Sequence, residues 1–533
     1  MRFTTTALWC VAVLVVSTQV EDISSSKILL IPYIHQQTSR LMNMVKIGQM
    51  LSEHNHDVAM LLPSNCVPKN VPEKVRTITF KLDTLPFDIS EETFLHEMRK
   101  DPFVFMSGWI EYSRDLLDSL FNDSGVMLKM VNEEFDLVFM DVISPQGLIV
   151  RDYLDIPGVG YSNLGFGNDR YFSSPLNPSY VPSPTGKFSD RMDFWERLTN
   201  ALSILGARYV TGKMRVPFSE AKLKYNLNTS LSLWEAQTRL SLVIVNVDFV
   251  FDYPRPVMPW VKPVSGLLFH PAKPLPEDLE RFVQSSGEHG IIIMSFGTMI
   301  AGFSSETMAM IARVFARLPQ KVILRNAKSN VQGLGNNTKV LPWIPQNDLL
   351  GHEKARLFIT HCGVSSSHEA LFHGVPVIAV PLFFDQFSHA KKLVQRIGMG
   401  EELDFYNLTE QAFGATIKSV LTKPSYYENA KRASALVRDQ PMNGKDTMRF
   451  WIEYVIRNKG AMHFHSQAME SLNWFQFHRV HEVNYACKAE GLCLLRKLSS
   501  SENNQLAYTI AECRVAIKQT GYTPRSLRYS ING

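Results

Sequence analysis

No block of arginine or lysine interrupts this 533-residue sequence, which removes nucleic acid from the partners to consider. Net charge is only +4, with both signs mixed throughout. The pairs Lys391-Lys392 and Lys431-Arg432 are expected to be solvated helix faces. Cysteine is scarce: six in all, of which Cys66, Cys362, Cys487, Cys493 and Cys513 follow the N-terminal Cys10. Those five have no metal-ligand spacing, so no metal is expected. The last three can supply one local disulfide, and spacing does not fix its pairing. The stretch from Arg479 to Gly533 contains no apolar run of about 18 residues, so no C-terminal membrane anchor is expected there. Internal repeats and low-complexity tracts are also missing.

What is present fits a globular protein. Hydrophobic residues make up 45% and charged residues 20%, an ordinary balance for a folded chain. The length exceeds what one core supports, so two or more domains are expected. Met1-Arg2 gives a positive end, and Ala7 to Val16 is a ten-residue apolar stretch followed by polar Ser17, Thr18 and Gln19. That run is too short to span a bilayer and reads as a cleaved signal peptide over residues 1–20. Entry into the secretory pathway gives meaning to glycosylation sequons at Asn122, Asn228, Asn336 and Asn407.

The chain then alternates strand and helix signals. Lys27 to Pro32 reads as a buried strand, Asn43 to Glu53 as a helix with apolar Met44, Ile47, Met50 and Leu51, and Asp57 to Leu62 as a second strand. Strand, helix and strand within about 40 residues make a βαβ unit, the building block of a parallel sheet. Phe135 to Asp141 is another apolar strand, and it ends on an acid. Ligands collect at the carboxyl ends of such strands, so Asp141 is a candidate for chemistry. Capping of the following helix is its plainer reading.

Three prolines between Tyr253 and Pro259 mark an extended connector. Beyond it the pattern restarts, with strands at Gly290–Gly297, Val322–Leu324, Leu357–Thr360 and Val375–Pro381 and a helix from Thr307 to Leu318. The expected fold is therefore α/β, with two doubly wound domains and a cleft between them.

The densest constellation runs from Trp343 to Gln386. It contains Trp343-Ile344-Pro345-Gln346, His361-Cys362-Gly363-Val364-Ser365-Ser366, Glu369 and Asp385-Gln386. A sugar nucleotide needs an aromatic platform for its base, acceptors for ribose hydroxyls, donors for a diphosphate and polar groups for the sugar. The segment from Thr360 to Ser366 follows an apolar strand and opens a helical run through His373. Small residues there let backbone N–H groups at a helix N-terminus approach a phosphate.

The run Trp343 to Gln386 resembles the defining motif of the UDP-glycosyltransferases, the superfamily of animal UDP-glucuronosyltransferases and plant glucosyltransferases. Pro178 to Pro182, Phe194 to Arg197, Tyr253 to Pro256 and Met294 to Gly297 are similar to the animal branch. The likeness covers roughly Lys27 to His478. It implies two facing Rossmann-like domains of the GT-B type: an acceptor domain (21–262) and a UDP-sugar domain (263–440). Helices at 441–478 would pack back on the first domain, ahead of a divergent, poorly ordered tail (479–533).

Carried over by position, the resemblance implies that Trp343 stacks on uracil, Gln346 holds the nucleoside and Glu369 accepts from ribose hydroxyls. It implies that His361, Gly363, Ser365 and Ser366 hold the diphosphate, that Asp385 and Gln386 bind sugar hydroxyls, and that Ser295 lines the site. No cofactor beyond the donor is implied. Two departures stand out: the family has glycine where Cys362 stands and asparagine where Ser365 stands.

The family's general base is a histidine before the first helix, held by an acid. Asp141 matches the acid, but Arg40 fills the histidine position. An arginine side chain does not give up its proton, so it cannot act as a base. His35 on the same loop can take the role, the pKa of a free imidazole near ~6.5 being suitable. An amine or an acidic acceptor oriented by Arg40 would need little base help. A third reading is a binder of UDP-sugar, or a hetero-oligomer partner of family members, that catalyses poorly.

Glucuronate users carry an arginine eight residues before Pro-Arg-Pro, where this chain has Asn246. UDP-glucose is therefore the expected donor and UDP-glucuronate the alternative. Aromatic and aliphatic residues from Phe80 to Asn226 fit a small lipophilic acceptor. Animal relatives are single-pass membrane proteins. Without an anchor run this chain is expected in the endoplasmic reticulum lumen or secreted, with a homo- or hetero-oligomer with family members open.

Overall fold

The computed structural model describes residues 25–34, 39–83, 102–144, 146–166, 177–225, 239–267, 269–297, 303–326 and 333–470. The first sheet has seven parallel strands in the order β3-β2-β1-β4-β5-β6-β7. They are β1 (Lys27–Ile31), β2 (Asp57–Pro63), β3 (Val75–Phe80), β4 (Leu137–Asp141), β5 (Gly158–Ser162), β6 (Leu242–Asn246) and β7 (Val261–Val264). Leu29 pairs with Ala59 on one side and Val138 on the other. Ile28, Leu29, Leu30 and Ile31 are all fully buried, because parallel sheets carry helices on both faces.

Strand order reverses between β1 and β4. The crevice at such a switch point is where α/β sheets bind ligands. The helix Ser39–Glu53 follows β1 and Asp141 ends β4, so both reach this crevice. That helix starts four residues before the expected Asn43, which places Arg40 in its first turn.

The second sheet has six parallel strands, β10-β9-β8-β11-β12-β13. They are β8 (Ile291–Ser295), β9 (Lys321–Arg325), β10 (Thr338–Leu341), β11 (Ala355–Thr360), β12 (Val377–Ala379) and β13 (Gly400–Glu402). Alternation along β8 builds two cores. Ile291 and Ile293 face one with Phe358, while Ile292 and Met294 face the other with Leu357 and Ile359. The switch point lies between β8 and β11, where Ser295 pairs with Thr360.

The crossover segment is fastened to the second domain. Lys392 Nζ donates to Asp252 Oδ1, and both side chains are buried. Burial opposes ionisation of Asp252, but Lys392 brings its carboxyl below the usual range. Arg396 also donates to the Phe249 and Val250 carbonyls. Lys392 is thus not the solvated residue expected. Successive helical residues point about 100° apart, so Lys391 reaches Glu402 while Lys392 turns inward to a compensating acid.

The helix Gly444–Arg457 returns to the first domain. Its Glu453 Oε1 lies 3.4 Å from His56 Nε2, and Lys262 Nζ stands 3.8 Å over the Trp451 ring. Residues from Ser466 form a separate unit, described only in the helix Gln467–Glu470. The tail 479–533, the segment 1–20 and the cysteines Cys10, Cys487, Cys493 and Cys513 lie outside the described residues. Cys66 and Cys362 are buried free thiols. Among the described residues no helix is long and apolar enough to cross a membrane. Asn122, Asn336 and Asn407 are exposed, as glycosylation requires, and Asn228 lies outside the described residues.

Candidate active site

The nucleoside end is built first. Trp343 follows β10 and is 68% exposed, so its ring face is free to stack rather than fill a core. Gln346 opens the short helix Gln346–Leu350. Its Nε2 donates to Glu369 Oε2 at 2.6 Å and to Ser366 Oγ at 3.0 Å. This brace fixes one carboxylate oxygen of Glu369. Burial pushes the Glu369 carboxyl up to about 7, against the opposing pull of Gln346 and Lys46; Asp348 adds to the rise.

That shift carries a pH prediction. A ligand hydroxyl that donates to the ionised carboxylate lowers the Glu369 pKa, so binding of a ribose diol there is favoured where the group is ionised. Affinity for uridine therefore falls as pH drops through about 7, by roughly tenfold between about pH 8 and pH 5.5. Calorimetry with uridine, which carries no titrating phosphate, measures this. Glu369→Gln should flatten the profile; an unchanged slope would assign the proton to another group.

His361 stands just beyond β11. The Nε2 edge of its ring lies close to two glycines. A Cβ on Gly363 would lie 2.5 Å from His361 Nε2, and one on Gly297 would lie 2.7 Å from the same atom. Gly297 also has φ +71°, a left-handed conformation that favours glycine. Arg325, the last residue of β9, donates to the Gly297 carbonyl and fixes this loop. Burial pushes His361 down to about 4, and the Arg325 charge adds to this, so the ring is neutral near pH 7.

Gly363 caps the helix Val364–His373, whose first amides have no intrahelical acceptor. Ser365 Oγ, in that first turn, is buried without a hydrogen-bond partner. Unpaired donors at a helix N-terminus, beside glycines that allow close approach, suit a diphosphate. Cys362 has φ 63°, the conformation for which glycine is best suited, at a strain of roughly 1 kcal/mol. The loop repays it locally. The Cys362 amide donates to Thr360 Oγ1 at 3.2 Å, and its carbonyl accepts from His389 Nδ1 at 3.0 Å.

Beyond β12, burial raises the Asp385 carboxyl, while Arg40 and Lys392 pull it down. Gln386 accepts the amides of Leu382 and Phe383 on its carbonyl oxygen. Ser295 is buried at the end of β8.

Across the cleft, Arg40 and Asp141 form a bidentate ion pair. Arg40 Nε donates to Asp141 Oδ2 at 3.0 Å, and Nη2 donates to Oδ1. Asp141 Oδ1 also accepts the Ile143 amide at 3.0 Å, so the acid caps the following turn as well. Arg40 Nη1 is buried without a partner. The charges of Arg40 and Lys46, both on the helix Ser39–Glu53, act on Asp385 and Glu369. This helix therefore faces the second domain. His35 lies outside the described residues. At the carboxyl end of β6, Asn246 is buried and both its amide atoms lack partners.

Sequence reading missed Arg325, Gly297 and His389 as parts of the site. A charged residue closing the apolar strand β9 was the available signal for Arg325.

Two facing doubly wound domains with a nucleotide-type site at the second switch point define a GT-B glycosyltransferase. Residues 26–490 match the family model described as "UDP-glucoronosyl and UDP-glucosyl transferase". The chain is 33% identical over 485 residues to human UDP-glucuronosyltransferase 2B10, covering 86% of this chain and 90% of that one. It is 33% identical over 472 residues to rat UDP-glucuronosyltransferase 2B1, covering 84% and 88%. Among solved structures, a UDP-glucosyltransferase from Polygonum tinctorium aligns with TM-score 0.55 at 16% identity, covering 82% of this chain and 99% of that one. A variant of Os79 from O. sativa in complex with UDP aligns with TM-score 0.57 at 15% identity, covering 81% and 100%. The chain belongs to the UDP-glycosyltransferase family.

Proposed function

We propose that this protein transfers a hexosyl group from a UDP-sugar to a small lipophilic acceptor, with inversion at the anomeric carbon. What supports this reading is an exposed Trp343, the Gln346–Glu369 brace and a His361 beside glycines at a helix N-terminus, all following the carboxyl ends of β10 and β11. Trp343 stacks on uracil and Glu369 takes the ribose hydroxyls. His361, Gly363, Ser365 and Ser366 hold the diphosphate, and Asp385 and Gln386 hold the sugar. The acceptor attacks from the side of Arg40 and Asp141 as UDP leaves, and positive charge builds on the sugar ring.

UDP-glucose is the favoured donor. Asn246 stands where a cation for a sugar carboxylate is expected, and a buried glucuronate without a cation is costly. The site lies in a chain that enters the secretory lumen, alone or with other family members. Product analysis with both donors tests the reading. A glucosylated acceptor is expected; turnover with UDP-glucuronate alone would reverse the donor assignment. Arg40 at the base position favours one rival, a UDP-sugar binder acting through partners. That rival predicts UDP binding with no transfer to any acceptor.

A further inference from the structure

We infer that Arg40 selects acceptors that attack as carboxylates, so that the sugar is transferred to form an ester. This rests on the transferase reading above and names its acceptor class. The pair Arg40–Asp141 occupies the place of a base and its orienting acid, yet a guanidinium has no lone pair to take a proton. The Asp141 carboxylate is fully engaged by Arg40 and the Ile143 amide. Arg40 uses Nε and Nη2 on Asp141, while Nη1 is buried with no partner. The side chain is only 10% exposed, and the Tyr33 ring lies 5.5 Å from its guanidinium carbon. It is a preset donor with a fixed plane and one unspent edge.

A buried, unpaired N–H of a cation calls for an anionic oxygen. Three acceptor types can be ranked on that basis. An alcohol or phenol needs its proton removed, and nothing in this pair removes it. An amine develops positive charge as it attacks, which the adjacent guanidinium opposes. A carboxylate arrives without a proton to lose, and its second oxygen can accept from Nη1 while the first attacks. The new bond joins the carboxylate oxygen to the anomeric carbon, and the bond from that carbon to the UDP oxygen breaks. The electron pair leaves with UDP, and no proton is transferred. Arg40 acts here as a binding and orienting group for the nucleophile.

The test uses the full chain with saturating UDP-glucose or UDP-glucuronate and three acceptors of one shape: naphthoate, naphthol and naphthylamine. Naphthoate is expected to give a hydroxylamine-sensitive ester with kcat/KM at least roughly tenfold above the other two. Arg40→Gln should lower naphthoate kcat/KM by roughly 30-fold, the size of one charge-assisted hydrogen bond. Arg40→Lys, which keeps the charge but not the fork, should recover part of it. Arg40→His should shift preference toward naphthol. Wild-type turnover of naphthol or naphthylamine but not naphthoate overturns this inference and leaves the transferase reading standing. So does an Arg40→Gln variant that handles naphthoate as wild type does. No transfer to any acceptor, with UDP still bound, sinks the transferase reading and this inference with it.

Discussion

Asp141→Asn should cost about 3–5 kcal/mol of stability, the usual price of leaving one member of a buried ion pair unpartnered. The Asp141 side chain is 2% exposed and that of Arg40 10%, so solvent screens this pair little. An amide in place of the carboxylate accepts one hydrogen bond but leaves the guanidinium charge without a counter-ion. The loss should appear as a lower urea midpoint for the first domain. Adding Arg40→Met removes the stranded charge and should restore most of the lost stability, giving a coupling of about 2–4 kcal/mol in a double-mutant cycle. Acceptor turnover should stay low in both variants, since neither presents the oriented guanidinium. An Asp141→Asn midpoint equal to wild type would mean that the pair is solvated in solution.

The second large effect is expected from Gly363→Ala. The added Cβ would stand 2.5 Å from His361 Nε2 and 2.9 Å from Cε1, distances that non-bonded carbon does not tolerate. The same edge of the ring also lies against Gly297, so the imidazole sits close to two backbone segments and has to move to make room. His361 must therefore leave its place, or the helix N-terminus must tilt. Either outcome removes one or two hydrogen bonds to a charged diphosphate, each worth about 1.5–3 kcal/mol. UDP affinity should fall by roughly 100-fold by calorimetry, with overall stability changed much less. Cys362→Gly is the useful contrast at the next residue. It relieves left-handed strain but empties the space of a buried thiol, so the two effects oppose each other. A Gly363→Ala variant that binds UDP as wild type does would remove His361 from the diphosphate site.

Some of this was legible in the sequence. The strands β1, β2, β4, β8 and β11 announce themselves because strands of a doubly wound sheet are apolar on both faces. The motif from Trp343 to Gln386 marked the family, and simple counting placed Arg40 beside Asp141. Elements at the sheet edges were not legible. β7 (Val261–Val264) contains Pro263, β10 (Thr338–Leu341) is half-exposed, and β13 (Gly400–Glu402) is short and acidic. Their pairing, not their composition, makes them strands. Lys392 was misread because its partner Asp252 lies 140 residues away. Arg325 and Gly297 escaped for a similar reason. Their roles depend on β8 and β9 lying side by side, which only the folded sheet provides. The unspent edge of Arg40 is likewise a fact of geometry: the sequence left amines and acids equally open.

The most direct measurement is UDP release by the full-length protein given UDP-glucose, with and without a lipophilic acceptor, alongside Trp343→Ala. UDP should form only when acceptor is present, in equal amount to the glucosylated product, with KM for the donor raised by roughly tenfold in Trp343→Ala, as loss of one stacked base contact implies. UDP that binds but is never released in step with a product, whatever acceptor and donor are supplied, would contradict the assignment of this protein as a working transferase.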